Sequence, residues 1–355
     1  MNKVIVSDSP HIRGVRTTKG IMLDVCIALL PACIMGCVYF GWKALLVLSL
    51  SCITCVVSEL LYQLCLKKNF KTILKEFDFT SLVTGILLGM CLHSNVPWYV
   101  PVIAGVFAIV VVKMLFGGTG KNIVNPAITG RVFAFISFQA VMISGWAMPT
   151  IKAIQPVANT ITSGATPLTQ MLNGGVESMG ISNLDLFLGT GLVGCIGETC
   201  KLALLVGGIY LVVRKVIDWK WPLIYILTTG VTAVLISSIS TKTLAINTFL
   251  PSILSGGLFL GAIFMATDYV TSPYTNKGRY IYYPVLGVLT AILRHFTKIE
   301  VVSFAILLMN LFVPLINTYI RPRIFGAPTL VQKIKKSISD KKQAKLQQAE
   351  KEETK

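Results

Sequence analysis

The chain has 355 residues, of which 54% are hydrophobic and only 13% are charged, and its mean hydropathy is +0.73. This composition, with several separate runs of about 20 apolar residues, excludes an ordinary soluble domain and predicts helices that cross a lipid bilayer. The net charge of +17 would favour a nucleic-acid partner in a soluble protein. In a membrane protein basic residues flank the spans instead, so we expect no nucleic acid.

Residues 1–20 are polar and basic, which is not the pattern of a cleaved signal peptide. We interpret the apolar segments that follow as about ten transmembrane helices. They lie near residues 21–42, 44–66, 80–94, 97–116, 126–145, 197–214, 221–240, 248–267, 282–296 and 300–319. Residues 186–196 are apolar but short, and we expect an interfacial or re-entrant segment there. The lysine-rich tail, residues 321–355, is too poor in apolar residues to fold by itself.

Basic residues are distributed unevenly between the two sides of the predicted membrane. With both termini cytoplasmic, the segments on that side hold 24 Lys and Arg residues, and those on the other side hold five: Lys43, Lys152, Lys242, Arg294 and Lys298. Cytoplasmic segments of membrane proteins carry the excess of Lys and Arg. We therefore predict cytoplasmic termini and place the long loop 146–185 on the outer face.

The predicted fold class is all-α and polytopic, with two inverted repeats of five helices. Gly85–Gly89 and Gly257–Gly261 each precede a polar break and a further span, which is a faint internal repeat. An odd number of spans in each half gives the halves opposite orientations, as in many transporters. The predicted divisions are a cytoplasmic segment (1–20), a first repeat (21–145), an outer loop (146–196), a second repeat (197–320) and a cytoplasmic tail (321–355).

Several charged residues lie in or at the ends of predicted spans, where charges are costly and usually face a cavity or a partner. Glu59, Arg131 and Asp268 are candidates either for an ion path or for buried structural pairs. Asp24 also falls in a span. Glu198 and Lys201, three residues apart, are expected to neutralise each other on one helix.

Other patterns predict structural roles. Nine cysteines include the pair Cys52 and Cys55, but no second C-x-x-C or nearby histidine completes a metal site, so we predict none. The glycines between Gly117 and Gly120 lack the spacing of a phosphate loop and indicate a break at a span end. Two pairs of Asn and Pro favour either ordinary helix starts and kinks or helix openings at membrane depth: Asn125-Pro126, and Asn310 with Pro314. Five tyrosines favour an aromatic belt at the membrane interface: Tyr269, Tyr274, Tyr280, Tyr282 and Tyr283.

The loop 146–185 contains Ser163-Gly164-Ala165-Thr166, followed by Pro167. Motifs of the form S-G-A-T mark sites where a flavin transferase attaches flavin mononucleotide (FMN) to threonine through a phosphoester bond. Ser163 offers a second hydroxyl near the phosphate, and Gly164 and Ala165 leave room for the transferase. A four-residue match also fits an ordinary turn before proline. Its place on the outer loop, between two sets of spans, favours Thr166 as the attachment site.

The chain resembles the D subunits of Rnf ion-translocating oxidoreductases, which are relatives of the B subunits of sodium-pumping NADH:quinone reductases. Besides the S-G-A-T motif with Pro167 and Leu168, the stretches that carry the resemblance are Phe116-Gly-Gly-Thr-Gly-Lys-Asn122, Asn125-Pro-Ala127, Gly194-Cys-Ile-Gly-Glu-Thr199, Phe264-Met-Ala-Thr-Asp268, Thr271-Ser-Pro273 and Phe304-Ala-Ile-Leu-Leu-Met-Asn310. The stretches lie between about residue 85 and residue 318, and their order and spacing match the family. The length of the chain favours the Rnf D subunits, because the quinone reductase subunits typically have a longer N-terminal region.

The resemblance implies a covalent FMN on Thr166 and a core of inverted repeats similar to urea channels. It implies a subunit of a translocase in the bacterial cytoplasmic membrane, inactive alone, with the A, B, C, E and G subunits and a flavin transferase as partners. That complex moves electrons between ferredoxin and NAD and transports Na⁺ or H⁺. A second flavin, riboflavin, is known in the quinone reductase subunit and is left open here.

Three other functions stay open from the sequence. A B-subunit-like component of a quinone reductase is the nearest. A flavin-free channel or transporter for a small polar solute explains the composition and the repeat equally well, but gives no role to Ser163–Thr166. A structural scaffold for partner subunits is the third. Covalent flavin separates the redox subunit from the channel and the scaffold.

Overall fold

The computed structural model describes residues 16–67, 69–144, 146, 166–190, 192–242 and 244–321, and in this part of the chain the regular structure is helical with no strand. The chain divides into a unit Met1–Asn317 and a unit Thr318–Lys355. The basic tail beyond residue 321 and the motif residues Ser163, Gly164 and Ala165 lie outside the described residues. The inverted relation between the two predicted repeats stays a prediction.

The helices before the long loop follow the predicted spans. They are α1 (Thr18–Phe40), α2 (Trp42–Cys65), the short α3 (Phe70–Glu76), α4 (Thr80–Met90), α5 (Tyr99–Val106) continued by a π-helix (Phe107–Met114), α6 (Pro126–Ser137) and α7 (Gln139–Ser144). The predicted span 126–145 is thus broken between α6 and α7, at Phe138. Asn125 caps α6 as predicted for an ordinary helix start, because its side chain accepts the backbone N–H groups of Ala127 and Ile128.

The helices that follow Thr166 include several short ones. They are α8 (Pro167–Gly174), α9 (Asn183–Leu188), α10 (Lys201–Val213), α11 (Lys220–Thr241), α12 (Phe249–Leu254), α13 (Leu258–Leu260) continued by a π-helix (Gly261–Met265), α14 (Asn276–Thr297) and α15 (Val302–Tyr319). Two short 3₁₀ helices are Val176–Met179 and Ile246–Thr248. α14 begins six residues before the predicted span at 282, and α15 continues through Asn310 and Pro314 without opening.

Four of the described helices are long and apolar enough to cross a membrane, namely α1, α2, α11 and α15. The segments Ile246–Leu254 and Leu258–Met265 pass the same test together but are bent by 67° at their junction. Four more predicted spans are apolar helices of 10–17 residues. The protein is therefore an all-helical polytopic membrane protein in which several predicted spans are short or broken.

Buried irregular backbone accounts for the short helices. α4 ends at Met90, and residues 192–200 form a segment that is buried throughout without being helical. Backbone N–H groups of Ile196 and Gly197 donate to the carbonyl oxygens of Leu92 and Met90, at 3.0 and 2.8 Å. Irregular backbone at membrane depth is tolerated where protein supplies its hydrogen bonds. This segment overlaps residues 186–196, whose interfacial or re-entrant position stays a prediction, and the first part of that stretch, up to Leu188, belongs to α9.

Small residues bring the long helices into close contact. A Cβ atom added at Gly207 of α10 would lie 2.0 Å from the carbonyl oxygen of Ala28 in α1. A Cβ at Gly85 of α4 would lie 2.7 Å from the Cα of Cys52 in α2. Glycine at a membrane helix interface lets the backbones approach and gain van der Waals contact, which replaces the hydrophobic driving force that lipid does not supply.

Hydrogen bonds show which loops lie together at each end of the helical unit. At one end, which we call the Asp78 end, Thr119 donates to Asp78 at 2.7 Å and Arg16 donates to the carbonyl of Lys215 at 3.1 Å. All of these residues fall in segments predicted to be cytoplasmic.

The other end, which we call the Lys43 end, contains residues predicted to be on the outer face. Lys43 donates to Asn95 at 2.9 Å, and Tyr39, the next-to-last residue of α1, donates to the carbonyl of Leu188 at 2.8 Å. Lys298 donates to the carbonyl of Leu172 in α8 at 2.8 Å. The structure thus groups the loops as the distribution of Lys and Arg predicts, with α8 beside Lys298, which is predicted to lie on the outer face.

Candidate functional site

Thr166 is the N-cap of α8. Its backbone is extended (φ −66°, ψ 153°), Pro167 occupies the first helical position, and its hydroxyl accepts the backbone N–H of Thr169 at 3.4 Å. The hydroxyls of Thr166 and Thr169 lie 2.9 Å apart. Threonine at the N-cap with proline next is a typical helix start, since the hydroxyl satisfies a free N–H and proline has none to satisfy.

A phosphate on the Thr166 hydroxyl would lie at a helix N-terminus. The first N–H groups of a helix lack partners within it, and the helix dipole places partial positive charge there, so the position favours an anion. Thr169 supplies a backbone N–H and a hydroxyl in the first turn. Thr166 is only 9% exposed, so an enzyme that modified it would have to act before α8 packs or after a local opening. The geometry therefore suits a stable phosphoester.

α8 is held against the rest of the unit at both of its ends. Leu168 and Met171 are 1% and 8% exposed. Beyond its C-terminus Gly175 adopts a φ of 81°, a left-handed value that glycine accepts without strain, and its N–H donates to the carbonyl of Met171. Lys298 supplies the bond to Leu172 at the same end. The position of Thr166 is thereby fixed by packing as well as by its own cap.

A basic cavity of about 230 Å³ lies beside α8. We call it the Arg294 cavity. Leu168, Met171 and Leu172 of α8 form one wall, and residues of α11, α12 and α14 form the others. Its charged or titratable lining residues are Arg294, His295 and Lys298, the last of which closes α14. Thr166 and this cavity are consequently parts of one region.

Arg294 is buried, at 3% exposure. Its guanidinium donates to the carboxylate of Glu300 at 2.8 Å and to the carbonyl oxygens of Ser252 and Ser255 at 2.9 and 3.3 Å. Its Nε is buried without a hydrogen-bond partner in the described part of the chain. Buried donors are nearly always paired, and the guanidinium satisfies its other N–H groups on the protein while Nε is enclosed without an acceptor.

A second cavity, of about 110 Å³, lies at the Asp78 end. We call it the Lys113 cavity, because Lys113 lines it together with Asp268 and Asn125. Lys113 and Glu59 form an ion pair at 2.9 Å with side chains 3% and 6% exposed. Of the candidate ion-path residues, Glu59 is therefore paired within the protein, and Asp268, which accepts the hydroxyl of Thr271 at 2.9 Å, lies at a cavity.

Asp78 belongs to the polar network at this end. Thr80 donates its hydroxyl to Asp78 at 2.6 Å, and Thr119 donates at 2.7 Å. Burial raises the pKa of the Asp78 carboxyl, but these hydrogen bonds and the nearby Lys113 ammonium outweigh burial and hold the pKa below its usual range. Asp78 therefore stays ionised and connects the loop before α4 to the glycine-rich turn, where Gly117, with a φ of 107°, lies in the break predicted from the sequence.

Arg131 lies apart from Glu59 and Asp268. It donates to the Ser303 hydroxyl at 2.5 Å, its Nε has no partner among the described residues, and it lines a cavity of about 10 Å³ with Cys195 and Glu198. A cavity of this volume holds about one water molecule. Arg131 thus lines a different cavity from the one lined by Asp268 and by Lys113, the partner of Glu59.

Two predictions from the sequence need correction, and the first concerns Glu198 and Lys201, which do not share a helix. α10 begins at Lys201, the Glu198 carboxylate accepts the N–H of Cys195 at 2.8 Å, and Lys201 donates to the carbonyl of Thr199 at 3.4 Å. Periodicity cannot reveal that the backbone before α10 is irregular.

The predicted tyrosine belt is only partly correct. Tyr269, Tyr274 and Tyr280 are about half exposed, at 48%, 55% and 56%, whereas Tyr282 and Tyr283 are buried at 0% and 1%. The last two point into the core, where Tyr282 hydrogen-bonds to Asn310 at 3.0 Å and Tyr283 donates to the carbonyl of Ala266 at 3.1 Å. Their hydroxyls find partners inside the protein instead of at the membrane surface.

The prediction that a charge such as Asp24 faces a partner agrees with the structure. Asp24 is paired with Arg214 at 3.1 Å. Every cysteine of the described chain is free, and no group of three metal-ligating residues occurs there. Sequence reasoning missed Lys113, Arg294 and Glu300 as partners of the buried charges. The signal that could have identified Lys113 is its position within a predicted span, where an unpaired lysine is not tolerated.

Comparisons with known proteins identify the family to which the chain belongs. A family model described as the NQR2, RnfD, RnfE family matches residues 5–326. The D subunit of the Na⁺-translocating ferredoxin:NAD⁺ oxidoreductase complex of Acetobacterium woodii is 42% identical over 333 residues, which cover 93% of this chain and 96% of the relative. The D subunits of ion-translocating oxidoreductase complexes from Stutzerimonas stutzeri and Salmonella paratyphi A are each 35% identical, covering 86% and 90% of this chain and 91% and 98% of the relatives. The chain therefore belongs to the NQR2, RnfD, RnfE family.

Proposed function

We propose that the chain is the electron-carrying D subunit of an Rnf-type membrane complex, with FMN attached to Thr166. In this proposal the complex transfers electrons between ferredoxin and NAD and couples them to Na⁺ or H⁺ transport. The name of the Acetobacterium woodii relative, at 42% identity over 93% of the chain, supports the reaction. Complexes of this kind act through several subunits, so we expect the isolated chain to be inactive.

The observation that carries the flavin assignment is the position of the Thr166 hydroxyl. It lies at the N-terminus of α8, beside the Arg294 cavity, and both lie at the Lys43 end. A bound flavin would supply exchange of electrons singly or in pairs. Thr166 would hold its phosphate, and Thr169 would contact the phosphate oxygens. The protein's part in such chemistry is to position the cofactor and shape its electrostatic environment.

The orientation of the site in the membrane belongs to the proposal. The described loops at the Asp78 end are rich in Lys and Arg, and the positive-inside rule makes such an end cytoplasmic. Thr166 then faces the outer side of the cytoplasmic membrane, where electrons arrive from a second flavoprotein of the complex. The flavin transferase acts on the same face.

Riboflavin is not part of this proposal. The Lys113 cavity has polar groups and apolar walls, but its volume of about 110 Å³ is well below the roughly 300–1,000 Å³ of pockets that enclose a whole small molecule. We assign Glu59 to structural pairing because of its contact with Lys113. Asp268, which lines this cavity, is our candidate for contact with the transported ion.

The test uses the full chain co-expressed with a flavin transferase in a host membrane. Thr166→Ala should abolish covalent flavin, measured by intact mass and in-gel fluorescence, while membrane insertion persists. Ser182→Ala is the matched control, since it removes the N-cap hydroxyl of α9 and leaves the acceptor at Thr166 unchanged. Flavin that remains in Thr166→Ala would refute the site, and an unmodified wild-type chain would favour a channel or a scaffold.

A further inference from the structure

We propose that the Arg294 cavity receives the ring system of the flavin carried by Thr166, and that Lys298 makes the bound flavin easier to reduce. This inference rests on the proposed function, because it requires FMN on Thr166. It assigns positioning residues on α14 that neither the motif nor the family match identifies. It also states the chemistry that they contribute, which is positive charge near the ring.

The geometry places the cavity within reach of the attachment site. Leu168, which lines the cavity, is two residues from Thr166, a separation of about 3 Å along a helix axis. The ribityl chain of FMN leads away from the phosphate, so only the ring needs to be enclosed. A volume of about 230 Å³ lies near the lower end of pockets that hold whole small molecules and suits the ring alone.

The lining has the two kinds of surface that a flavin ring requires. Leu168, Met171 and Ile236 supply apolar wall for the flat ring faces. Lys298 contributes an ammonium group and His295 an imidazole ring to the same lining. The ring carries carbonyl oxygens that accept hydrogen bonds from such groups. Pockets for small molecules combine apolar walls with a few polar groups in this way.

The charges in the cavity differ in how far they are neutralised. Arg294 is paired with Glu300 at 2.8 Å. Lys298 donates to the carbonyl of Leu172, and among the described residues no carboxylate lies within ion-pair distance of its ammonium. A net positive charge therefore faces the cavity from Lys298.

Reduction adds negative charge to the ring. The electron comes from the reduced flavin of a partner protein in the complex, which is oxidised in the same step, and no covalent bond forms or breaks. A cation next to the ring stabilises the added charge by Coulomb attraction, strongly so in a medium of low effective dielectric constant. Lys298 should consequently raise the reduction potential of the bound flavin.

The first experiment measures the midpoint potential of the covalent FMN by spectroelectrochemical titration of the purified, flavin-loaded chain. Lys298→Gln keeps a hydrogen-bond donor for Leu172 but removes the charge. We expect about a tenfold shift in the equilibrium away from reduced flavin, which is about 59 mV for a one-electron couple. Lys298→Arg should stay near the wild-type potential. Lys43→Gln is the control, because Lys43 lies at the same end but does not line the cavity.

The second experiment tests the location of the ring. It keeps the inference testable even if Lys298→Gln fails to load flavin. Ala233 of α11 lines the cavity, whereas Leu235 of the same helix is 55% exposed. Ala233→Trp should fill the cavity and increase quenching of flavin fluorescence by iodide, and Leu235→Trp should not.

The outcomes separate this inference from the proposed function. Loaded flavin with an unchanged potential in Lys298→Gln, or unchanged quenching in Ala233→Trp, would overturn the inference and leave the covalent flavin intact. A wild-type chain without flavin, despite a competent transferase, would refute both. Covalent flavin on Lys298→Gln with a lowered potential, together with quenching specific to Ala233→Trp, would support both.

Discussion

The buried pair of Glu59 and Lys113 should dominate the stability of the first helices. The Nζ and Oε1 atoms lie 2.9 Å apart, and the side chains are only 3% and 6% exposed. Removing one member of a buried pair leaves an uncompensated charge, which typically costs about 3–5 kcal/mol. Lys113→Met should cost that amount, because it leaves the Glu59 carboxylate with only a long contact to the Gln63 amide, at 3.5 Å.

The double variant Glu59→Gln/Lys113→Met tests the reasoning more sharply. It removes both charges together, so its cost should not exceed that of Lys113→Met, and the coupling energy of the cycle should be about 2–3 kcal/mol. Glu59→Gln alone should cost less, about 1–3 kcal/mol, since its amide oxygen still accepts from Lys113. Both substitutions preserve approximate side-chain length, which limits cavity formation.

The assay is the free energy of unfolding in mixed detergent micelles, from denaturant titration followed by circular dichroism. Lys220→Met is the control, because Lys220 is exposed at the start of α11, and it should change stability by less than about 0.5 kcal/mol. Additive costs in the double variant, or a cost below about 1 kcal/mol for Lys113→Met, would refute the assignment of this pair as buried and coupled.

Two further predictions concern the contact of α1 with α10 and the Asp78 end. Gly207→Ala places a Cβ 2.0 Å from the carbonyl oxygen of Ala28, so α1 and α10 must separate. We expect a loss of stability of about 3 kcal/mol, which is the upper end of the range for overpacking. An unchanged melting temperature would contradict this contact. Asp78→Asn should destabilise the protein at neutral pH, because the hydrogen bonds from Thr80 and Thr119 lower the folded-state pKa of Asp78. That stability is present above the unfolded pKa of about 3.9 and is lost as pH falls through the lower folded value, so the difference from wild type should shrink in strong acid. A difference that does not depend on pH would refute the role of the charge.

Much of the fold could be predicted because apolar runs and loop charges act locally. Each predicted span coincides with a helix or a pair of helices, and the loops predicted to share a side contact each other, as Lys43 and Asn95 do. Boundaries were less accurate where polar residues enter a helix, as at the start of α14. The buried breaks around Met90 and residues 192–200 could not be predicted, because apolar irregular backbone has the same composition as a buried helix.

The candidate site divides in the same way. Thr166 could be singled out because its motif and its N-cap position both depend on adjacent residues. The Arg294 cavity depends on α8 meeting α14, whose residues are more than 100 positions away in the chain. A residue's neighbours at that distance are set by packing, and no local pattern encodes them.

The sequence by itself determined that this protein is helical, that it crosses a membrane, which loops share a side, and which threonine resembles a flavin site. These properties follow from transfer of apolar residues into lipid, from the distribution of basic residues and from short motifs. Only the tertiary structure decided that Glu59 pairs with Lys113 and Arg294 with Glu300. Buried charges must find partners wherever the helices bring them together, so the pairing is a property of the packed bundle and not of any segment.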